Sequence, residues 1–340
     1  MGGDHAPVEI VRGAIDALRS DKEISVILVG DENRIREEID KEKYTGDVSI
    51  IHTDQFISMD ESPKKALEEK PKSSITIASQ LLKHDEADAL VSAGNTGATV
   101  LAAAQNLPMI EGIERSGLAA IYPTAKFTPE SRGIALMLDV GATLKCTPKQ
   151  LVHFAYMGYY YVSHILDISA PRVALLNIGE EETKGGEVLT KTYAYLKKAE
   201  GINFIGNVEG KDIPKGVADV IVTEGFVGNV VLKLMEGVAD VLKATGKYAF
   251  KEKFTWKIGL ALLSSGVKRI KRKTDYSEYG GAPILGFRKL AIKAHGRSNA
   301  KAITNAIKVA KRSVQENVCD HIARSISEFN SRHRIDFIEI

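Results

Sequence analysis

Residues 87–97 read Ala-Asp-Ala-Leu-Val-Ser-Ala-Gly-Asn-Thr-Gly, and residues 218–228 repeat this pattern as Ala-Asp-Val-Ile-Val-Thr-Glu-Gly-Phe-Val-Gly. Each copy joins a short apolar run to a hydroxyl residue and a turn with two glycines, and an apolar helix pattern follows. Turns of this kind lie at the carboxyl ends of strands, where α/β sheets bind ligands. Glycines that only tighten a turn explain one copy, whereas two equivalent copies favour a shared site. We therefore predict an α/β fold with one ligand site between these two loops.

The same alternation of strand and helix patterns covers the first two thirds of the chain and predicts a mostly parallel central sheet covered by helices. The predicted strands lie at 24–29, 48–52, 89–92, 118–122, 134–138, 172–177, 203–205 and 219–223. The predicted helices lie at 8–18, 32–40, 73–83, 148–166, 186–199 and 227–245. The last third reads as mostly helical, with an amphipathic helix at 299–317. Because no low-complexity linker divides the chain, we expect one domain, residues 1–340, built of two lobes.

The composition excludes several classes of protein. The 340 residues carry 46 basic and 44 acidic side chains, a net charge of +2, which is far from the basicity typical of nucleic-acid binders. No apolar run approaches the ~20 residues that are needed to cross a bilayer. The two cysteines, Cys146 and Cys319, lie outside any zinc-site or disulfide spacing. We therefore expect a cytoplasmic protein with no metal site and no nucleic-acid partner.

One segment, residues 247–273, concentrates positive charge. It holds nine Lys or Arg and one acidic residue, a local charge of +8 that leaves −6 for the rest of the chain. Apolar side chains interleaved with lysines are typical of an interfacial helix, and a basic run suits anionic lipid or an acidic protein. A dimerisation helix with solvated charges explains the pattern equally well. The residues predicted to form this basic amphipathic tip are Phe254, Trp256, Leu260, Leu263, Lys268, Arg269, Lys271, Arg272 and Lys273.

Three glycine turns precede helix patterns, at residues 2–7, 94–97 and 225–229. Glycine lets backbone N–H groups approach an anion closely, and the following helix adds the positive end of its dipole. These turns therefore predict a site for phosphate or another oxyanion. Residues 206–212 are one residue short of a P-loop and end in Asp, which argues against a nucleoside triphosphate.

Lys184 and His5 are the candidate catalytic side chains. Lys184 lies in an acidic turn at 177–186, where a cation can neutralise an anionic substrate or protonate a leaving group. A surface lysine paired with the neighbouring glutamates fits that spacing equally well. His5, beside Asp4 in a glycine turn, is a better candidate than His295, which precedes the amphipathic helix. No nucleophile elbow and no motif cysteine provides for a covalent intermediate.

Eight motifs together resemble one protein family. They are MGGDHAP (1–7), ADALVSAGNTGA (87–98), LDVGA (138–142), LLNIGEEETKGGE (175–187), FIGNVEG (204–210), EGFVGN (224–229), YGGAPILG (279–286) and KAHGRS (293–298). In this order, from Met1 to about Asn317, the sequence is similar to the PlsX family, the phosphate acyltransferases of bacterial phospholipid synthesis. One departure is Thr143, where that family usually has Asn.

The resemblance implies an α/β/α sandwich like that of phosphotransacetylases and isocitrate dehydrogenases, with a helical tip projecting at 247–273. It implies transfer of a long acyl chain from acyl carrier protein to inorganic phosphate, giving acyl phosphate, without a cofactor. It also implies a homodimer that associates peripherally with the membrane through the tip. Two other functions stay open: a phosphotransacetylase acting on short acyl-coenzyme A, and a non-catalytic membrane scaffold for lipid enzymes.

The resemblance matches the family's glycine-rich loops to residues 2–5, 92–97 and 225–229 and its motif lysine to Lys184, and the chemistry of the implied reaction suggests roles for individual residues. Asn229 would donate to the thioester oxygen and Lys184 would serve the departing sulfur, with His5 as a third catalytic residue. A cradle of backbone N–H groups and polar side chains would hold the phosphate. The predicted phosphate-binding residues are Gly2, Gly3, Asp4, Ser92, Gly94, Asn95, Thr96 and Gly97.

Overall fold

Helices and strands alternate along the chain as predicted. The computed structural model describes residues 1–125, 132–252, 255, 259, 262, 263 and 279–332. The first half contains α1 (Val8–Ser20), β1 (Ile27–Gly30), α2 (Glu32–Lys41), β2 (Ser49–His52), α3 (Pro63–Glu69), α4 (Ser74–Lys83), β3 (Ala89–Ser92), α5 (Thr96–Asn106), β4 (Gly117–Pro123) and β5 (Ile134–Leu138). The second half contains α6 (Pro148–Ile165), β6 (Arg172–Leu176), α7 (Gly186–Lys198), β7 (Asn203–Val208), β8 (Val220–Val222), α8 (Gly225–Glu252), β9 (Ala282–Leu285), β10 (Leu290–Lys293), α9 (Ala300–Gln315) and α10 (Val318–Arg332). Each predicted strand and helix is present, with ends that agree within three residues except at α8, which continues seven residues beyond its predicted end at 245.

Among the described residues, eight strands form one central sheet in the order β3-β10-β9-β4-β5-β8-β6-β7. Four of the seven neighbouring pairs are parallel, so the sheet is mostly parallel, as predicted. The antiparallel pairs join β10 to β9, β9 to β4 and β4 to β5. Because of these three successive reversals, β5, β8, β6 and β7 run opposite to β3 and β10.

Helices cover both faces of this sheet. On one face, α6, α7, α9 and α10 bury the larger apolar cluster, which contains Phe154 and Tyr161 of α6. On the other face, α4, α5 and α8 pack through Leu82, Val100 and Met235. The observed layers are those of the predicted α/β/α sandwich.

Strands β1 and β2 form a separate parallel sheet beside the central one. Helix α1 packs on this small sheet through Val11. A cavity of about 470 Å³, lined mainly by apolar side chains, lies between β1 and β3. Met1 lies at this cavity, between Gly30 at the end of β1 and Gly94 after β3. The amino-terminal turn is therefore in contact with both sheets.

Strands β9 and β10 interrupt the last third of the chain, where the patterns predict helices. They are runs of four residues, Ala-Pro-Ile-Leu and Leu-Ala-Ile-Lys, which are too short to show the alternation of a strand. Both lie inside the sheet, so pairing with distant strands decides their structure. Strand β7 also continues beyond its predicted end at 205, because Gly206, with a φ of +102°, carries it through a bulge opposite β6.

Helix α8 ends at Glu252 and therefore enters the predicted tip at 247–273. Among the described residues, no helix has the length and apolarity that would span a bilayer. Leu263 is the predicted tip residue that lies within the described part of the chain, and its side chain is exposed. The tip and the division into two lobes stay predictions. The predicted tip residues outside the described residues are Phe254, Trp256, Leu260, Lys268, Arg269, Lys271, Arg272 and Lys273.

Helices α1 and α9 approach each other closely at Gly13. A β-carbon at Gly13 would lie 2.6 Å from the Ala300 carbonyl oxygen. The Thr304 hydroxyl donates to the Gly13 carbonyl oxygen at 2.9 Å, and the Ala300 N–H donates to Glu9 Oε2 at 2.6 Å. This helix pair therefore holds the amino-terminal glycine turn beside residues 293–298, which precede α9.

We predict that Gly13→Ala lowers the free energy of unfolding by about 1–3 kcal/mol, the usual range for overpacking, because the two helices must separate. Gly210→Ala is the matched control, since Gly210 is exposed and nothing lies within 4 Å of a β-carbon added there. The control should gain up to about 1 kcal/mol, because alanine restricts the unfolded chain more than glycine does. Urea unfolding followed by circular dichroism measures both changes. Equal effects of the two substitutions would contradict close packing at Gly13.

Candidate active site

Three chain segments meet at the carboxyl ends of β3 and β10. These strands are parallel neighbours with Lys293 in register with Ser92, so their loops leave the sheet at the same edge. The Asp4 N–H donates to the Gly296 carbonyl oxygen at 3.0 Å, which joins the amino-terminal turn to the loop after β10. We call these three segments, residues 2–5, 92–97 and 293–298, the glycine cradle.

Gly2 and Gly3 allow the amino-terminal turn to approach its neighbours. Gly2 has a φ of +83°, and a β-carbon there would collide with the Ile57 carbonyl oxygen. A β-carbon at Gly3 would lie 3.0 Å from the Ala93 carbonyl oxygen, next to the loop after β3. Glycine is therefore required here by the packing of the loops themselves.

The side chain of Asn95 fixes the loop after β3. Its Oδ1 accepts the Ala98 N–H at 3.1 Å and so caps α5. Its Nδ2 lies within 3.3 Å of three carbonyl oxygens, those of Ser58, Met59 and Glu61. Because these contacts use the side-chain amide, Asn95 shapes the cradle and has no side-chain N–H left for a ligand.

The other predicted cradle residues have different surroundings. Thr96 and Gly97 are the first two residues of α5, and a β-carbon at Gly97 would lie 2.5 Å from Cγ of Pro63. At Gly94 an added β-carbon would meet only atoms at ordinary contact distances of 3.5 Å or more. His5 is exposed in the turn before α1. The loop is therefore open at Gly94 and closed by packing at Gly97.

The cradle also contains a buried cation that the sequence patterns did not single out. Lys293, the last residue of β10, is 5% exposed, and its Nζ donates to the Ala294 carbonyl oxygen. Burial lowers the pKa of Lys293 to about 8, and the charge of Lys233 acts in the same direction, whereas Asp4 opposes it. One signal in the sequence could have identified Lys293. It is a charged residue that directly follows the apolar run Leu-Ala-Ile and begins the KAHGRS motif.

Lys233 of α8 brings a further charge to the cradle. Burial is the main cause that lowers the pKa of His295, and the charge of Lys233 is the next. Lys233 also pairs with Glu236 at 2.8 Å, so part of its charge is neutralised locally. The His295 ring is held by the Arg297 N–H, which donates to Nδ1 at 3.2 Å. The excess of cations here favours an anionic ligand.

A second cluster surrounds the fully buried carboxylate of Asp139. Its Oδ2 accepts the N–H and the hydroxyl of Thr143, both at 2.8 Å. The Thr143 hydroxyl oxygen accepts in turn the N–H of Gly225, the first residue of α8, at 3.0 Å. These bonds fix the loop after β5 against the start of α8. Oδ1 accepts three backbone N–H groups at 2.9–3.0 Å, those of Leu118, Gly141 and Ala142.

Thr143 and Gly228 explain how α8 lies against this loop. Thr143 departs from the Asn that is usual in the resembled family, and its single hydroxyl makes both bridging hydrogen bonds. A β-carbon at Gly228 would collide with the Asp139 carbonyl oxygen. Asn229 follows, exposed and next to Gly141. The predicted donor to the thioester oxygen therefore stands on a rigid support.

The two loops of the sequence repeat leave opposite edges of the sheet, because β8 runs opposite to β3. A shared site therefore cannot form at a common edge, as it would in an all-parallel sheet. Helix α8 connects the two regions. Asn229 lies beside the Asp139 loop, and Lys233, about one turn later, acts on His295 and Lys293. Any site that uses both loops must extend along α8.

Lys184 lies on the loop between β6 and α7, at the edge where β5 and β8 also end. Asn177 Nδ2 donates to the Lys184 carbonyl oxygen at 3.1 Å, and Asn207 Nδ2 donates to the Glu181 carbonyl oxygen at 2.9 Å. The Lys184 side chain is 47% exposed, and its Nζ lies 3.8 Å from Glu181 Oε1. The backbone is fixed while the ammonium group stays accessible, and the ion pair with a neighbouring glutamate is a long one.

The cysteines are poor candidates for a nucleophile. Burial raises the pKa of Cys146 to about 11 and that of Cys319 to about 12, so their thiolates are scarce at neutral pH. In the described ranges, no three His, Cys, Asp or Glu side chains gather as they would around a metal ion. Within the described residues, the groups at the cradle and the Asp139 loop that suit acyl transfer include backbone N–H groups, amides and ammonium groups.

Comparison with known proteins matches residues 1–321 to a family described as "Fatty acid synthesis protein". The phosphate acyltransferase of Thermoanaerobacter pseudethanolicus is 46% identical over 326 residues, 96% of this chain and 95% of that protein. The phosphate acyltransferase of Desulfitobacterium hafniense (strain Y51) is 46% identical over 336 residues, 97% of each chain. This chain belongs to the PlsX family of phosphate acyltransferases. The family resemblance is confirmed, and with it the prediction of an acyltransferase enzyme.

Solved structures of low sequence identity share the fold. A phosphotransacetylase from Streptococcus pyogenes superposes with a TM-score of 0.58 at 17% identity and covers 91% of both chains. The EutD phosphotransacetylase from Staphylococcus aureus gives a TM-score of 0.58 at 13% identity, covering 90% of this chain and 91% of that one. The predicted phosphotransacetylase-like fold of this family member is thereby confirmed.

We predict that Asp139→Asn lowers the free energy of unfolding by about 2–3 kcal/mol. In either orientation of the new side chain, its NH₂ group would point at a backbone N–H group that now donates to the Asp139 carboxylate, so two donors would face each other. Asp16→Asn is the matched control, because its carboxylate is 46% exposed. The control should change stability by less than about 0.5 kcal/mol. Urea unfolding compares the two, and wild-type stability of Asp139→Asn would show that the buried carboxylate does not hold these loops.

Proposed function

We propose that this chain transfers a long-chain acyl group from acyl carrier protein to inorganic phosphate, releasing acyl phosphate for phospholipid synthesis. The observation that carries the proposal is the match to phosphate acyltransferases along nearly the whole chain. A phosphate oxygen attacks the thioester carbonyl carbon, the C–S bond breaks, and the carrier thiolate leaves. This reaction needs an anion site, donors for the developing oxyanion, and positive potential near the sulfur. Its balance requires no cofactor.

The glycine cradle is the proposed phosphate site. Gly94 leaves the loop after β3 open, and Ser92 Oγ accepts the Gly94 N–H at 3.2 Å, which orders that loop. The amino end of α5 and the nearby cations favour a dianion. We assign Asp4 and Asn95 supporting roles, because the Asp4 N–H and the Asn95 amide already donate to the protein. The turn at Gly2 then closes one side of the cradle.

Asn229 and Lys184 are proposed to act on the thioester. The Asn229 amide is exposed beside the Asp139 loop, where it can donate to the carbonyl oxygen as negative charge develops. Lys184 has an accessible ammonium, and its ion pair with Glu181 is long at 3.8 Å, so its charge is available to a departing thiolate. Because a free thiol has a pKa of about 8.5, it can leave as the thiolate, and positive potential is enough to assist it. His5, exposed before α1, is proposed to orient the phosphate.

Helix α8 carries an exposed apolar stripe that supports a homodimer. Its members recur every three or four residues and therefore share one side of the helix. A stripe of this length marks an interaction surface, and we infer that a second copy of this chain covers it. The tip at 247–273 would then project beside the dimer seam. The side chains of the stripe are Val230, Leu234, Val238, Val241 and Leu242.

The tip is the proposed contact with the membrane and with acyl carrier protein. Its local charge of +8 favours anionic lipid headgroups and the acidic surface of a carrier protein. Each basic residue near an anionic membrane contributes about 1 kcal/mol, and apolar side chains such as Trp256 add buried area. The enzyme would then be a cytoplasmic protein that binds the membrane peripherally, where its product is used.

We predict that wild-type protein incubated with acyl carrier protein thioester and phosphate forms acyl phosphate, detected by mass spectrometry. Lys184→Ala should lower kcat by about 10²-fold or more, the range for acid or electrostatic assistance. Lys197→Ala is the matched control, because Lys197 pairs with Glu182 of the same acidic turn at 2.7 Å and should keep kcat.

The outcomes of this assay separate the alternatives. Product from acetyl-coenzyme A but not from the carrier thioester would favour a phosphotransacetylase. No product from either donor would contradict the proposed donor and acceptor. A near-normal kcat in folded Lys184→Ala would remove the role of Lys184 and leave the reaction in place.

We predict that Leu234→Glu with Val238→Glu gives a monomer in analytical ultracentrifugation, because two carboxylates cannot be buried in the proposed seam. Trp256→Ser with Leu260→Ser should stay dimeric but no longer co-sediment with anionic liposomes at low salt. Wild-type co-sedimentation should weaken as salt shortens the Debye length. A monomeric tip variant that still co-sediments would place the tip's apolar side chains in the dimer seam, and the membrane contact would be withdrawn.

A further inference from the structure

Lys293 is an unusual residue for a central strand. Strand β10 lies between β3 and β9, and all four of its residues are buried. The Lys293 ammonium donates to a neutral partner, the Ala294 carbonyl oxygen. A buried ammonium normally pairs with a carboxylate, because an uncompensated charge in the interior is costly. A cation held in this way is suited to an anion that enters the fold as a ligand.

The charges that face Lys293 come from three segments. Asp4 of the amino-terminal turn favours its ammonium form, and Lys233 of α8 opposes it. On its own loop, His295 has its pKa lowered in part by Lys293 and by Arg297. Cations from α8 and from the loop after β10 therefore gather beside the amino-terminal turn. Such a concentration of positive charge is relieved when an anion binds.

Ser298 supplies an independent observation on the same loop. It is 1% exposed, and within the described part of the chain its hydroxyl has no hydrogen-bond partner. It directly precedes Asn299, the N-cap of the 16-residue helix α9, whose positive dipole end also favours anions. A buried hydroxyl without a partner requires an explanation, and a bound oxyanion would supply the missing acceptor.

We propose that Lys293 binds the phosphate substrate directly, with Nζ donating to one phosphate oxygen while the phosphate lies against the open loop at Gly94, which follows the neighbouring strand. This assignment rests on the proposed acyl transfer and adds a catalytic residue to it. Lys293 keeps its proton throughout the step. A phosphate oxygen forms the new C–O bond, and the electron pair of the C–S bond leaves with the thiolate.

Isothermal titration calorimetry with inorganic phosphate tests this assignment on the full chain. Lys293→Met keeps the length of the side chain and removes its charge. It should weaken phosphate binding about 10- to 100-fold, the effect of losing a charge-assisted hydrogen bond. Lys289→Met is the matched control, because Lys289 precedes the same strand and pairs with Asp85 at 2.7 Å. The control should bind phosphate like the wild type, and thermal unfolding checks that both variants fold.

Sulfate binding by the wild type gives a second measurement that does not depend on any variant. Sulfate keeps its two charges across the neutral range, so a pH dependence reports on the protein. Because the pKa of Lys293 is about 8, its ammonium is present below that pH and lost above it. Sulfate affinity should therefore fall several-fold as the pH rises from about 7 to about 9. His295, with its lowered pKa, is neutral over this interval, and Asp4 and Lys233 are the other charged groups that face Lys293.

Each outcome decides the assignment. Wild-type phosphate affinity in folded Lys293→Met, or a sulfate affinity that is flat between about pH 7 and 9, would overturn the role of Lys293 while leaving the acyl transfer in place. Phosphate binding that depends on Lys293, in a wild type that forms no acyl phosphate, would support the site and overturn the proposed reaction.

Discussion

The buried carboxylate of Asp139 is the constraint on which the second half of the site depends. A fully buried carboxylate is unfavourable unless its oxygens accept several hydrogen bonds, and here they accept four backbone N–H groups and one hydroxyl. Those donors belong to the start of β4, to the loop after β5 and to Thr143, which in turn holds the first N–H of α8. The direction of α8, and therefore the positions of Asn229 and Lys233, follow from this one group.

Because three antiparallel strand pairs lie in the middle of the sheet, α8 is needed to connect the two regions of the site. They turn the sheet into two parallel halves that point in opposite directions, so the glycine cradle and the Asp139 loop lie at opposite edges. In an all-parallel sheet, the loops alone would form a site at one edge. Here a helix that begins at one loop and passes the other must connect them. The exposed stripe of the same helix supports the proposed dimer, so site and seam would share one element.

Local sequence patterns were sufficient to predict structure where a residue's conformation depends on its neighbours in the sequence. The run from Ala87 to Gly97 predicts β3, the turn and α5, and each is present. Asn95 shows the limit: its type and position suggest an anion ligand, yet its amide binds carbonyl groups 34 to 37 residues away. Strand β10 shows another limit, since four residues carry no periodic signal and Lys293 reads as an ordinary strand end. Contacts with residues that are distant in the sequence decide the role of Asn95 and the structure of β10. A single sequence does not show which residues make those contacts.

Lys184 and Lys293 differ in burial, and this difference suits them to different roles in the proposed reaction. An exposed ammonium is solvated and screened, so its attraction for an anion in water is about 1 kcal/mol or less. Lys184, 47% exposed on a fixed loop, therefore suits a bulky carrier-bound thiolate, because both groups can approach with their water and lose it only when the carrier docks. A buried ammonium acts in a medium of lower dielectric constant, where the same charge attracts an anion more strongly. Lys293 therefore suits a small dianion that must be stripped of water before it can attack. Interchanging the two lysines would leave phosphate solvated and would place a bulky thiolate against a buried strand, so the burial of each lysine matches the size and solvation of its proposed partner.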